Sequence, residues 1–245
     1  MKASLPRKLW IIVQSLYVTL KITVIVLYKV YRGTYKREYG DTTLLRRMWS
    51  SRLLKAVKAT YEVSSPRNVE FTPGRPYIIM SNHRSHYDIP LIFMSLPGTI
   101  RMLTKKELFK VPLWGKGMKA GEFISIDRHN LEEAIKDLDK ARAKMKSGVI
   151  LWVAPEGTRS RTGKLGPFKK GGFMLAIQVG ATIIPVGIRG SEKILPPNTW
   201  DFHIGQHVEV NIGNPIEASK YTPETKDQLM KDVRDSIAYL AGESQ

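Results

Sequence analysis

A histidine and an aspartate stand five positions apart in Asn82-His83-Arg84-Ser85-His86-Tyr87-Asp88, directly after the apolar run Pro76-Tyr77-Ile78-Ile79-Met80. A short β-like run that breaks into a polar loop is a common seat for working side chains, because the buried strand fixes where the loop begins. A carboxylate there can hold an imidazole in one tautomer and leave the other ring nitrogen free to take a proton. The pair therefore has the makings of a general base with its orienting partner. The same residues also allow simpler roles. Asp88 precedes Ile89-Pro90 and an apolar stretch, so it can cap the next helix for about 1 kcal/mol, and His83 can be a hydrogen-bonded structural histidine. His86 reads as loop or packing.

Further polar segments follow strand-like runs. Lys105-Lys106-Glu107-Leu108 is one, Ile126-Asp127-Arg128 another, and Pro155-Glu156-Gly157-Thr158-Arg159-Ser160 the third and sharpest. Arg159 offers a planar fork that matches a phosphate, and Gly157 lets backbone amides approach an anion closely. Lys105 and Arg128 add positive charge, and Glu156 can accept from a substrate hydroxyl or orient Arg159. Taken singly, Arg159 and Glu156 are equally a surface ion pair worth about 0–1 kcal/mol, and Lys105 a solvated charge.

The elements that must position these segments alternate from residue 66 onward. Strands are expected at Tyr77–Met80, Ile100–Thr104, Phe123–Ile126, Val149–Ala154, Thr182–Ile188 and Val208–Ile212. A helix is expected after the Asn130 cap, with Leu131, Ile135, Leu138, Ala141 and Met145 on one stripe, ending at Ser147-Gly148. Others are expected over Gly172–Val179 and from Thr222-Pro223. Such alternation predicts an α/β domain with a mostly parallel central sheet flanked by helices, and a site at the carboxyl ends of the strands.

The first quarter of the chain is different. Of a formal net charge of +17, residues 1–60 carry thirteen Lys/Arg against Glu38 and Asp41. Leu9 to Tyr31 is apolar but interrupted by Lys21 and Lys29, and its charge-free stretch from Leu9 to Leu20 falls short of the ~20 residues that cross a bilayer. Ile12, Leu16, Leu20, Val24 and Leu27 share one helical face, with Gln14, Lys21, Lys29 and Arg32 on the other. Trp10, Tyr17, Tyr28 and Tyr31 suit the headgroup level. Leu44 to Tyr61 reads as a second basic helix that includes Trp49. The expectation is a two-helix basic amphipathic membrane-associating segment over 1–62 and an α/β domain over 63–245, lying on a bilayer as a monotopic protein. Charge alone also permits nucleic acid, but no binding motif for it is present, and none is expected as a partner.

The 245 residues contain no cysteine, which excludes disulfides, thiolate metal sites and a cysteine acyl-enzyme. His203 and His207 are four apart, but Gly205 between them argues against a helix, and no metal is expected.

In order and spacing, His83-x4-Asp88, Lys105-Lys106-Glu107-Leu108 through Ile126-Asp127-Arg128, Pro155-Glu156-Gly157-Thr158-Arg159-Ser160 and Ile184-Pro185-Val186-Gly187-Ile188 resemble the four motifs of the glycerolipid acyltransferases. Ile126-Asp127-Arg128 is closer to the 1-acylglycerol-3-phosphate branch, and Ala154 departs from the aromatic residue usual before Pro-Glu-Gly there. The resemblance implies transfer of a fatty acyl group from an acyl carrier protein or coenzyme A thioester to the sn-2 hydroxyl of lysophosphatidic acid, with no cofactor. It implies His83 and Asp88 as the catalytic pair and Arg159, Lys105, Gly157, Glu156 and Arg128 around the substrate phosphate. It also implies a place on the cytoplasmic face of the inner membrane, with Trp10, Leu16, Leu20, Val24, Leu27 and Trp49 at the interface. A thioester is already activated, so a base for the acceptor hydroxyl suffices and no enzyme nucleophile is needed.

Overall fold

The computed structural model describes residues 1–65, 69–126 and 131–243, with the backbone alone described at 131, 132, 134 and 135. Asp127, Arg128 and Asn130 lie outside the described residues.

An eight-stranded sheet organises the chain, in the order β1-β7-β6-β2-β5-β3-β4 with β8 also on β6. Its strands are β1 (Thr60–Ser64), β2 (Tyr77–Ser81), β3 (Ile100–Lys105), β4 (Ile124–Ile126), β5 (Ile150–Val153), β6 (Thr182–Arg189), β7 (His207–Ile212) and β8 (Ile216–Glu217). β2 through β6 run parallel to one another, while β7 and β8 lie antiparallel to β6. The central strands β2 and β5 are buried at every position, as continuous apolar strands covered on both faces must be. The six expected strands are all present, each within a residue or two of its expected limits.

Helices cover both faces. α6 (Leu131–Lys146), α7 (Gly171–Val179) and α9 (Lys226–Leu240) close one side, where Met80, Leu151, Phe173, Leu229 and Val233 share a core. α4 (Asp88–Ser95) and the N-terminal elements close the other, around Ile79, Leu91, Ile92 and Trp152. α5 (Trp114–Ala120) and the short α8 (Ser191–Ile194) complete the set. α9 begins later than Thr222 because Thr222 and Thr225 close a polar turn first, with the Thr222 amide on Thr225 Oγ1 at 2.8 Å.

The N-terminal segment departs from expectation in two ways. α1 (Leu5–Tyr31) is followed by α2 (Arg37–Tyr39), a π-helical stretch Gly40–Ser50 and α3 (Ser51–Ala56), so the expected second helix begins earlier, ends at Ala56 and is wider-wound than an α-helix over Gly40–Ser50. After the left-handed Lys58, Thr60–Ser64 joins the sheet as β1 beside β7, so the expected 62/63 boundary runs through a strand. The segment is also knitted into the body. Ala3 donates to the Phe202 carbonyl at 2.8 Å, Lys8 pairs with Asp201 at 2.6 Å, and the Arg37 guanidinium grips Glu122 at 2.7 and 2.8 Å. Arg46 bonds the Leu96 carbonyl, and the fully buried Arg101 meets Asp41 at 2.6 Å. Several of the basic residues expected on an anionic surface therefore serve as internal ties.

α1 is apolar on more than one face. Ile11, Val18, Ile22 and Val26 are buried against the body, while Leu16, Leu20, Val24 and Trp10 point outward. Leu27 is half-buried. Trp49 does not share the outward face: its indole donates to Thr19 Oγ1 at 3.0 Å and its ring packs edge-on against Phe93. By length and composition α1 is able to cross a membrane.

Candidate active site

The carboxyl ends of β2, β5, β3 and β4 lie on one edge of the parallel sheet, and the polar segments singled out in the sequence issue from that edge. At the end of β2, Asn82 turns its amide onto Ile188 of β6, donating to its carbonyl and accepting from its amide at 2.8 Å each. This two-way clamp starts the His83 loop from a fixed point. Asn82 is almost wholly buried, and a polar residue immediately after an apolar strand was the available sequence signal for it.

His83 Nδ1 lies 2.7 Å from Asp88 Oδ2. An ionised carboxylate only accepts, so Nδ1 carries the proton and Nε2 is the basic nitrogen. Asp88 is completely buried, whereas His83 keeps 18% of its side chain exposed. Asp88 is the first residue of α4, whose N-cap is Tyr87, and it does not cap that helix. Its Oδ2 turns back to accept the amides of Arg84 at 2.8 Å and Ser85 at 2.9 Å. One carboxylate thus shapes the loop and orients the imidazole together. Trp152 on β5 backs the His83 ring edge-on at 6.0 Å, its own indole anchored on Ser81 Oγ at 2.9 Å.

The loop after β5 locks onto this loop directly. The Ser160 amide donates to the His83 carbonyl at 2.7 Å, which brings Arg159 beside the histidine. Arg159 is half-buried, its guanidinium 3.5 Å from Asn198 Oδ1. Burial lowers its pKa, and the charge of Asp88 opposes that shift. Lys105 ends β3 and is exposed on the same edge.

Glu156 and Gly157 have structural parts in these loops. Glu156 is buried, with Oε1 accepting the His83 amide at 3.2 Å and Oε2 the Gly166 amide at 2.8 Å. Burial raises its pKa, against the pull of those two amides. Its oxygens brace the two loops. Gly157 donates its amide to the Ala154 carbonyl at 2.9 Å; its contribution is the left-handed turn, φ +70°, where a Cβ would press Lys169. Arg128 lies outside the described residues.

A cavity of about 220 Å³ runs from His86 between α1, the π-helical stretch, α4 and α5, walled by Ile22, Leu44, Phe93, Met118 and Phe123. The buried face of α1 is thus one wall of it. His86 is exposed at the surface, yet the protein packed around it displaces water from its ring; that desolvation, and then the positive charge of Arg159, lower its pKa to about 4, so the ring is neutral near pH 7. A separate hollow of about 260 Å³ between α1 and α3 includes no residue of the His83 or Arg159 loops.

The acyltransferase family profile matches residues 61–189. The chain is 32% identical over 204 residues to a chloroplastic 1-acyl-sn-glycerol-3-phosphate acyltransferase of Brassica napus, covering 83% of this chain and 56% of the relative. It is 35% identical over 166 residues to the 1-acyl-sn-glycerol-3-phosphate acyltransferase of Saccharomyces cerevisiae, covering 66% and 54%. The chain thus spans little more than half the length of these curated relatives. The crystal structure of the 1-acyl-sn-glycerophosphate acyltransferase PlsC from Thermotoga maritima superposes with a TM-score of 0.72 at 26% identity, over 98% of this chain and 99% of that one. With the profile spanning every site loop described above, the chain belongs to the acyltransferase family.

Proposed function

We propose that the protein moves a fatty acyl group from a thioester carrier, acyl carrier protein or coenzyme A, to the sn-2 hydroxyl of 1-acyl-glycerol-3-phosphate, forming phosphatidic acid. The observation that carries this reading is the 2.7 Å contact of His83 Nδ1 with buried Asp88, locked to the Arg159 loop beside an apolar cavity. His83 Nε2 takes the hydroxyl proton as that oxygen attacks the thioester carbonyl carbon, and Asp88 stabilises the imidazolium. The tetrahedral intermediate collapses by breaking the carbon–sulfur bond, and the imidazolium returns the proton to the departing thiolate. Arg159 and Lys105 hold the substrate phosphate and so position the hydroxyl. The apolar cavity suits an acyl chain.

The same reading places the protein on the cytoplasmic face of the inner membrane. Leu16, Leu20, Val24 and Trp10 on the outer face of α1 enter the headgroup–acyl boundary, and Lys21 and Arg32 remain for anionic lipids. Lysolipid then arrives from the bilayer and the carrier from water.

The deciding experiment assays purified protein and His83→Ala with lysophosphatidate, other lysolipids and glycerol-3-phosphate, using both carrier thioesters. Phosphatidate formation by the parent and its loss in the variant are expected. Turnover retained in His83→Ala removes the general base, and an acceptor other than lysophosphatidate used more efficiently replaces the substrate.

A further inference from the structure

The loops bearing His83 and Arg159 are joined a second time, by a residue far from both in sequence. Glu243 follows α9, 159 positions after Arg84. Its Oε1 accepts the Arg84 guanidinium at 2.6 Å and its Oε2 accepts the Leu165 amide at 2.9 Å. This bridge lies beside the one made by Glu156, which takes the His83 and Gly166 amides. Two consecutive residues of one loop are thus tied through two carboxylates to two consecutive residues of the other. Arg234 on α9 completes the grip, donating to the carbonyls of both Leu165 and Gly166.

Glu243 is itself held in place. α9 ends against β6, where a Cβ on Gly187 would collide with the Leu240 backbone, so only glycine admits the approach. Arg189 and Asn211 donate to the Leu240 carbonyl at 2.8 and 3.1 Å, and the Glu243 amide returns to Ala238 at 2.9 Å. The side chain of Arg84 is 9% exposed and that of Glu243 18%, so the ion pair is shielded from solvent and far less screened than a surface bridge.

We infer that Glu243 is a positioning residue for the acyl-transfer site, fixing the Arg159 loop relative to His83 through Arg84 and Leu165. It touches no substrate. This role rests on the proposed reading, in which Arg159 holds the acceptor phosphate while His83 takes the proton of the acceptor hydroxyl. A carboxylate there keeps phosphate and base at the spacing the acceptor needs, and small losses of alignment cost rate steeply, about 100-fold for 1 Å.

The test uses the full chain with Glu243→Gln, Glu243→Ala, Glu243→Asp, Arg84→Ala and the Arg84→Ala/Glu243→Ala pair. We expect Glu243→Gln and Glu243→Ala to lower kcat/KM for the lysolipid acceptor about tenfold, chiefly through KM, and to lower the thermal midpoint as well, because the shielded Arg84 guanidinium loses its partner. Glu243→Asp should recover part of the loss, and the double variant should be no worse than the worse single one. Amide hydrogen exchange over 158–166 should quicken in Glu243→Gln. Activity within twofold of the parent in Glu243→Ala, or a lost rate with unchanged exchange over 158–166, overturns the assignment. If the parent chain forms no phosphatidate, the acyl-transfer reading fails by itself, and the exchange measurement still decides whether Glu243 holds the loop.

Discussion

Asp88→Asn separates charge from shape at the centre of the site. Asp88 Oδ2 accepts from His83 Nδ1, the Arg84 amide and the Ser85 amide at 2.7, 2.8 and 2.9 Å. An asparagine oxygen in the same place still accepts all three, so the loop keeps its form. What disappears is the negative charge facing the imidazolium that forms as the hydroxyl attacks. With charge centres about 4 Å apart and an effective dielectric near 20, that attraction is about 4 kcal/mol. Each 1.36 kcal/mol is tenfold in rate, so kcat should fall about 1,000-fold. KM for lysophosphatidate should change little, because Asp88 touches no substrate. The assay is steady-state phosphatidate formation, with a thermal melt alongside to confirm that the fold persists. A folded Asp88→Asn protein with kcat within tenfold of the parent would refute the general-base account.

Three other perturbations probe separate parts of the molecule. Arg159→Ala removes a charge-assisted phosphate contact worth about 1.5–3 kcal/mol, so KM for lysophosphatidate should rise roughly 10- to 100-fold with a small change in kcat. Leu20→Glu replaces an outward, exposed apolar side chain; losing about 2 kcal/mol of burial should weaken sedimentation with anionic vesicles roughly 30-fold and leave the melt unchanged. Glu122 has its pKa lowered to about 2, first by its hydrogen bonds from Arg37. A carboxyl depressed in the folded state stabilises above its unfolded value near 4.5, and the contribution fades as pH falls from there to about 2. After solvent screening we expect about 2 kcal/mol, measured as acid-dependent unfolding that Glu122→Gln flattens in that window.

The central strands β2 and β5 were legible because a strand covered on both faces is apolar, and each such run ended in a polar or Pro-containing cluster. The His83 and Arg159 loops were legible for the same reason, since they begin where those runs stop. Other features had no local signature. Thr60–Ser64 continues a helical-looking sequence, and only β7 beside it makes it a strand. Nothing in the sequence around Glu156 foretold the two amides it accepts. Glu243 lies so far from Arg84 that only the packing of α9 on Gly187 brings them together.

Periodicity revealed one apolar stripe of α1 and not the other, for a physical reason. A helix that is apolar around most of its circumference has several stripes at 3.6-residue spacing, and sequence alone does not say which one meets protein. Here Ile11, Val18, Ile22 and Val26 turn inward, while Leu16, Leu20 and Val24 turn outward. The inward stripe also supplies Ile22 and Val26 to the wall of the cavity that reaches His86. One helix therefore borders both the apolar cavity and the outer surface. That arrangement explains why α1 carries more apolar side chains than either duty alone requires. Lys21 falls between the two stripes and interrupts neither.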